Sequence, residues 1–267
     1  MSAGPQLDAA TVLLQWATGG LLFCWVTTRR KELGVGYGWL LRSSYAAVAA
    51  LAAIAGYGWA SEPIRDTASV GVAAAAAYAL LLSVVRRHGH LTPQPNQNGE
   101  TASSFDPRWD LLAPAIGAIG LVAAGLGGGG NELLQTARIL VGAAFLGSVT
   151  DAMLLGHWYL VQPGLRREPL LEQVSWLGKL WPLEVGLLIV PTGMISVLTG
   201  EIDDSYGGML GWFWVACAIT TGALVIVTRA ALRERQYAAV MAATGLLYLA
   251  ILTAFGTDVV ARLVLET

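Results

Sequence analysis

Along the chain, apolar runs of about twenty residues alternate with short polar or charged connections. That length matches a hydrocarbon layer about 30 Å thick crossed at 1.5 Å per residue. The runs fall at roughly 9–28, 38–60, 67–86, 110–127, 134–160, 176–199, 207–228 and 236–260, which predicts eight transmembrane helices. The connections Arg29–Gly36, Ser61–Asp66, Arg87–Trp109, Gly128–Leu133, Val161–Ser175, Gly200–Tyr206 and Arg229–Arg235 carry the turn-forming and charged residues expected where backbone meets water. The fold class expected is an all-α polytopic membrane protein, a single membrane domain over 1–267 with no sizeable soluble part.

Composition narrows this further. Hydrophobic residues make up 55% of the 267 and charged residues only 13%. The mean hydropathy is +0.58. A wetted globular surface cannot be built from so few charges, so the bilayer is the expected surrounding. The formal charge of −2 and the scatter of the basic residues exclude a nucleic-acid patch. Cys24 and Cys217 both lie inside apolar runs, where they read as small buried hydrophobes and not as a disulfide or metal motif. The start of the chain has no basic n-region or small-residue cleavage pattern, so its first run is expected to stay as a helix.

The cations are distributed unevenly between alternate connections. Arg29, Arg30, Lys31, Arg42, Arg86, Arg87, Arg108, Arg166, Arg167, Lys179, Arg229, Arg233 and Arg235 fall on one side, and Arg65, Arg138 and Arg262 on the other, thirteen against three. Glu62, Asp66, Glu132, Glu201, Asp203, Asp204 and Glu266 flank the poorer side. The positive-inside rule then predicts a multi-pass protein of a bacterial-type inner membrane with both termini non-cytoplasmic. The connection over 88–109, with its Thr92-Pro-Gln-Pro-Asn-Gln-Asn-Gly stretch, reads as a flexible cytoplasmic loop, and the chain divides into two possible halves, 1–128 and 131–267. Thr18-Gly-Gly-Leu-Leu-Phe can be laid over Val141-Gly-Ala-Ala-Phe-Leu, a weak match that would make the halves parallel repeats. Small residues four apart (Gly71 with Ala75, Gly117 with Leu121 and Gly125, Ala143 with Gly147, Gly207 with Gly211) mark expected packing seams. Trp25, Trp39, Trp59, Trp109, Trp158, Trp176 and Trp181 are placed as interface anchors.

Ionisable side chains inside a span are costly and mark function more often than they do in soluble proteins. Asp151 stands well inside helix five. Glu184 is placed about a turn and a half into helix six, so that both carboxyls are expected in the cytoplasmic half. Thr150, Asp151, His157, Tyr159, Gln162, Lys179 and Glu184 form the densest polar set, with Trp158 and Trp181 as flat apolar walls. Such a set offers a quinone head group donors for its carbonyls, a proton relay and an apolar entrance. The bland reading is that these groups only satisfy partners such as Arg42 or Lys179 at helix crossings. Pro182 and Pro191 are expected to kink helix six. Haem would require His157 together with His88 or His90, and the usual pair of well-spaced buried His on one helix is missing. No metal motif, serine elbow or phosphate loop is present, and Gly127–Gly130 before Asn131 reads as a turn. Arg138, Asp258 and Arg262 make a thinner set on the outer side, with an ion pair expected between the last two.

The eight-span plan with both termini outside is similar to that of the quinol-interacting anchor subunits of the DMSO reductase and polysulfide reductase families. The resemblance is one of topology and carries no residue roles. It implies a subunit without its own redox centre, bound to other membrane or peripheral redox subunits. A proton-coupled small-molecule transporter or channel is the alternative, and a structural or assembly subunit the third.

Overall fold

The computed structural model describes residues 7–30, 32–59, 61–89 (backbone only for 87–89), 106–127, 131–162 and 164–265. Within them the helices are α1 (Ala9–Thr28), α2 (Val35–Trp59), α3 (Pro63–Gly89), α4 (Leu112–Gly127), α5 (Glu132–Val161), α6 (Glu168–Ile189), α7 (Gly193–Thr199), α8 (Met209–Arg233) and α9 (Tyr237–Leu265). A 3-10 turn, Pro107–Leu111, leads into α4, and no strand occurs among the described residues. Seven helices are individually long and apolar enough to cross a membrane, and the bent pair α6–α7 raises the number to eight if taken as one span. The expected linker stretch from Thr92, the Gly128–Gly130 turn and Glu266 lie outside the described residues.

Local signals set the helix ends. Asp8 caps α1 by accepting from the backbone N–H of Thr11 at 3.3 Å, and Asn131 caps α5 by accepting from Leu134 N–H at 3.2 Å. Helix six departs from its expected range. It starts at Glu168, with an acidic first turn and Pro169 where a missing N–H costs nothing. Hydropathy cannot register this polar first stretch, so the expected start at 176 was late. Pro182 is carried inside the helix, whereas the chain breaks at Val190–Thr192, with Pro191 after a cis peptide bond, and resumes as α7 at an angle of 59°.

The packing order is circular. α1 packs on α2, α2 on α3, α3 on α4 and α4 on α1; α5 packs on α6, α6 on α8, α8 on α9 and α9 on α5. The two rings meet chiefly where α1 crosses α5. At that crossing a Cβ on Gly19 would overlap the carbonyl of Ala143, and one on Gly147 would overlap the backbone of Gly19. The expected Ala143–Gly147 seam therefore has Gly19 as its partner, and backbone contact replaces side-chain packing, as small residues allow in lipid. Gly117 seats against Thr18, Gly125 against Thr136, and Gly71 against Ile116. Gly207 has open space around it and serves a turn instead.

Residues turned away from the rings are apolar: Leu51 and Ile54 on α2, Ile119 on α4, Ile226 on α8 and Leu252 on α9 are all exposed. Helices that are apolar both inward and outward fit a lipid surrounding. The ends of the bundle differ in charge. Contacts such as Asp8–Arg65 and Arg138–Arg262 bring the starts of α1, α3 and α5 together with the end of α9, here the terminal face. The opposite, basic face gathers Arg29, Arg30, Arg108, Arg166, Arg167, Arg229, Arg233 and Arg235.

Candidate functional site

Asp151 is fully buried on α5, and its Oδ1 accepts a 2.5 Å hydrogen bond from Tyr45 Oη of α2. Tyr45 reaches it by lying against Gly20 of α1, where any Cβ would overlap the phenol ring. Tyr37, one helical face along α2, donates to the backbone carbonyl of Asp151 at 3.4 Å. The second carboxyl oxygen, Oδ2, meets no donor. Toward the basic face, Arg42 holds Asp110 by two bonds of 2.7 Å, and Cys24 lies within electrostatic reach of Asp110, Arg42 and Asp151. Arg42 is thus committed to Asp110 and does not serve Asp151.

Adjacent residues carry the polar groups toward the terminal face. Thr150 Oγ1 accepts from Trp16 Nε1 at 3.1 Å and donates to the Leu146 carbonyl at 2.7 Å. Gln15, next to Trp16 on α1, donates to the Ile139 carbonyl at 2.9 Å, and its Oε1 meets no donor. Close by, Arg262 holds Asp258 through Nε at 2.9 Å and also donates to the Arg138 carbonyl at 3.3 Å. Arg138 donates to the carbonyls of Leu187 at 3.0 Å and Val190 at 2.6 Å, groups released by the break after α6. The expected Asp258–Arg262 ion pair is present with Arg138 beside it, as the outer-side set implies; its full burial is what the sequence does not indicate.

Glu184 belongs to this second group. It is fully buried, its carboxyl lies within hydrogen-bonding reach of Asp258 and interacts with Arg262 and Arg138, and no N–H or hydroxyl donor serves its oxygens. Because α6 begins at Glu168, Glu184 comes four turns into the helix and sits near the terminal face, not in the basic half beside Asp151. A cavity of about 10 Å³, room for about one water, lies next to Arg138 and Arg262 and is lined also by Gln135 and Leu188.

The remaining members of the expected pocket are dispersed. His157 Nδ1 faces Tyr248 Oη at 3.2 Å on an exposed part of α5 and α9. Tyr159 donates to the Arg166 carbonyl, closing the turn between α5 and α6. Trp158 bonds Gln162 at 3.2 Å and tilts onto Tyr37. Lys179 lies over the Trp176 ring at 4.9 Å, and Trp181 donates to the Ala218 carbonyl of α8 at 2.8 Å. Lys179 and Trp181 line a cavity of about 350 Å³ between α6 and α8. For haem, the His88 side chain and all of His90 lie outside the described residues. Among the described residues no three His, Cys, Asp or Glu side chains gather as a metal site.

No protein-family model matches the chain, and neither a curated protein nor a solved structure does so. The residues that sequence reasoning missed are Tyr45, Tyr37, Gln15, Arg42 and Asp110. A signal existed for two of them: Arg42 and Asp110 are charged positions inside or at the mouth of an apolar run, yet Arg42 is read as a flank or a partner of Asp151 or Glu184, and Asp110 only marks the start of a span.

Proposed function

We propose that this chain is a multi-pass inner-membrane protein, both termini outside the cytoplasm, that couples proton movement to the passage of a small solute. Glu184 and Asp151 are the groups that take up and release the proton. One observation carries the reading: a fully buried carboxyl that meets no N–H or hydroxyl donor, Glu184, stands within hydrogen-bonding reach of a second buried acid, Asp258, at a break in span six. Buried intramembrane acids face interior paths, and broken spans beside them supply released backbone carbonyls to coupling ions and substrates in transporters. Asp151 is offset toward the basic face, and Thr150, Trp16 and Gln15 occupy the interval along α1 and α5.

The halves 1–128 and 131–267 are, on this proposal, parallel repeats. Their support is the shared circular packing order and the crossing of α1 and α5 near aligned positions.

The test is proteoliposomes loaded with a pH-sensitive dye and challenged with a panel of small solutes across an imposed membrane potential. Solute-dependent acidification that disappears in Glu184→Gln and Asp151→Asn is expected. Its absence from the wild-type protein under every solute sinks the reading.

A quinone-binding subunit of a redox complex is the second reading, favoured by the lateral cavity at Lys179 and Trp181. It ranks lower because no carboxyl among the described residues lines that cavity to relay a proton.

A further inference from the structure

The cavity between α6 and α8 is built in an unusual way for a gap between helices. Its floor is Trp181, which lies so close to α8 that a Cβ on Gly222 would overlap the indole, and which is fixed by its bond to the Ala218 carbonyl at 2.8 Å. Gly178 keeps the α6 wall low, since a Cβ there would come within 3.3 Å of Val225. Pro182, on the next turn, has no N–H to return to the Gly178 carbonyl. An apolar trough of about 350 Å³ results, faced by Val225 and Ile226.

Two cations stand at its rim, Lys179 from α6 and Arg229 from α8, with Ser175 beside them. Neither forms an ion pair with a carboxylate among the described residues. On the same face Arg29, Arg30, Arg42 and Arg166 each have an acidic partner, whereas Arg86, Arg108, Arg233 and Arg235 form no ion pair among the described residues either; what sets Lys179 and Arg229 apart is that they share one trough. Arg229 is one turn from the end of α8, where phosphate headgroups lie, and the Lys179 stem can run along the trough to reach the same level. Paired cations over an apolar trough, with a hydroxyl and no acid, match a phosphate ester carrying an acyl chain. A neutral quinone would use neither charge.

We infer that this cavity binds the headgroup phosphate of an anionic phospholipid between Lys179 and Arg229, with the first part of an acyl chain along Trp181, Val225 and Ile226. The inference is independent of the transport reading. Such a lipid bridges α6 to α8, the one adjacency in the second ring that spans the break and α7.

The experiment compares thermal unfolding of the full chain in nanodiscs of phosphatidylcholine alone and of phosphatidylcholine with phosphatidylglycerol. The anionic lipid is expected to raise the midpoint by roughly 5–10 °C, as a bound ligand near saturation does. Lys179→Gln with Arg229→Gln is expected to lose most of that rise, whereas Arg86→Gln with Arg108→Gln, an equal change of charge elsewhere on the basic face, keeps it. Trp181→Phe, which retains both cations but cannot bond Ala218, is expected to show an intermediate rise. Inorganic phosphate added to phosphatidylcholine discs is expected to give none, and an equal rise from it would assign the site to free phosphate instead of lipid. No rise in the wild-type protein, an equal loss in both double variants, or purified protein that retains quinone in place of phospholipid overturns the inference.

Discussion

Tyr45 and Asp151 share one hydrogen bond of 2.5 Å, and the second carboxyl oxygen of Asp151 receives none. A carboxyl kept only for structure inside a membrane would be expected to have both oxygens served, since each unserved buried acceptor costs free energy. The pair separates a structural role from a proton-handling one. Tyr45→Phe removes the single donor and is expected to lower stability by about 1–3 kcal/mol. Asp151→Asn keeps an acceptor for Tyr45 in the same volume and is expected to change stability by less than about 1 kcal/mol, while abolishing proton coupling. Unfolding in mixed micelles read against flux in proteoliposomes checks both; loss of flux in Asp151→Asn only in step with unfolding would make the residue structural.

The α1–α5 crossing makes a second prediction, because two backbones meet at Gly19 and Gly147. Adding one methyl at either forces the helices apart, so Gly19→Ala and Gly147→Ala are each expected to cost about 1–3 kcal/mol. The double variant is expected to cost clearly less than the sum, since a crossing already opened has little further to lose. Gly245→Ala on α9 is the control: nothing lies within 4 Å of its added methyl, so helix propensity should stabilise it by up to about 1 kcal/mol. Additive losses at Gly19 and Gly147 would show that the two glycines act at separate contacts.

The helices could be read from the sequence because lipid imposes a length and an apolar composition on each span: against the eight expected, seven helices are long and apolar enough, and the bent pair α6–α7 makes an eighth if taken as one span. The positions of Asp151 and the Asp258–Arg262 pair were legible for the same reason: a charge inside an apolar run has few places to go. The grouping of the site was not. Glu184 was assigned to the wrong end because the first turns of α6, Glu168 to Gln173, are polar on one face and look like connection to a hydropathy window. Tyr45 was invisible because a lone tyrosine about two turns inside an apolar run carries no sign of its partner; only the missing side chain at Gly20 lets it cross to α5. His157 and Lys179 looked like neighbours of Asp151 in sequence, yet the 100° step of a helix turns His157 to Tyr248 and Lys179 to Trp176.

Arg138 binds the break in span six to the buried acids, and this makes a third prediction. Its guanidinium serves the carbonyls of Leu187 and Val190 while facing Glu184. Arg138→Met leaves those carbonyls and the local acids without that cation, a loss of about 3–5 kcal/mol for a broken buried charge network. The damage is expected to be local first. Hydrogen exchange should rise across 186–200 while α1–α4 stay protected, and an increase spread evenly through both rings would show that the break is not held by Arg138.

The loop before α8 supplies a prediction in pH. Asp204 accepts from the backbone N–H groups of Gly208 at 2.8 Å, Tyr206 at 3.0 Å and Leu210 at 2.8 Å, and Gly207 and Gly208 take positive φ of 66° and 85° to aim those donors inward. These bonds favour the ionised form, the Gly208 bond foremost, so the carboxyl is held below its usual value of 3.8. A depressed acid contributes stability that is present above its unfolded pKa and is lost as pH falls through the folded one. The start of α8 is therefore expected to keep its exchange protection from neutral pH down to about the ordinary Asp range and to lose it only below that. Asp204→Asn accepts fewer of the three donors and carries no charge, so protection there should be lower at neutral pH and nearly flat through the acid range. A wild-type acid transition that persists unchanged in Asp204→Asn would assign it to another group.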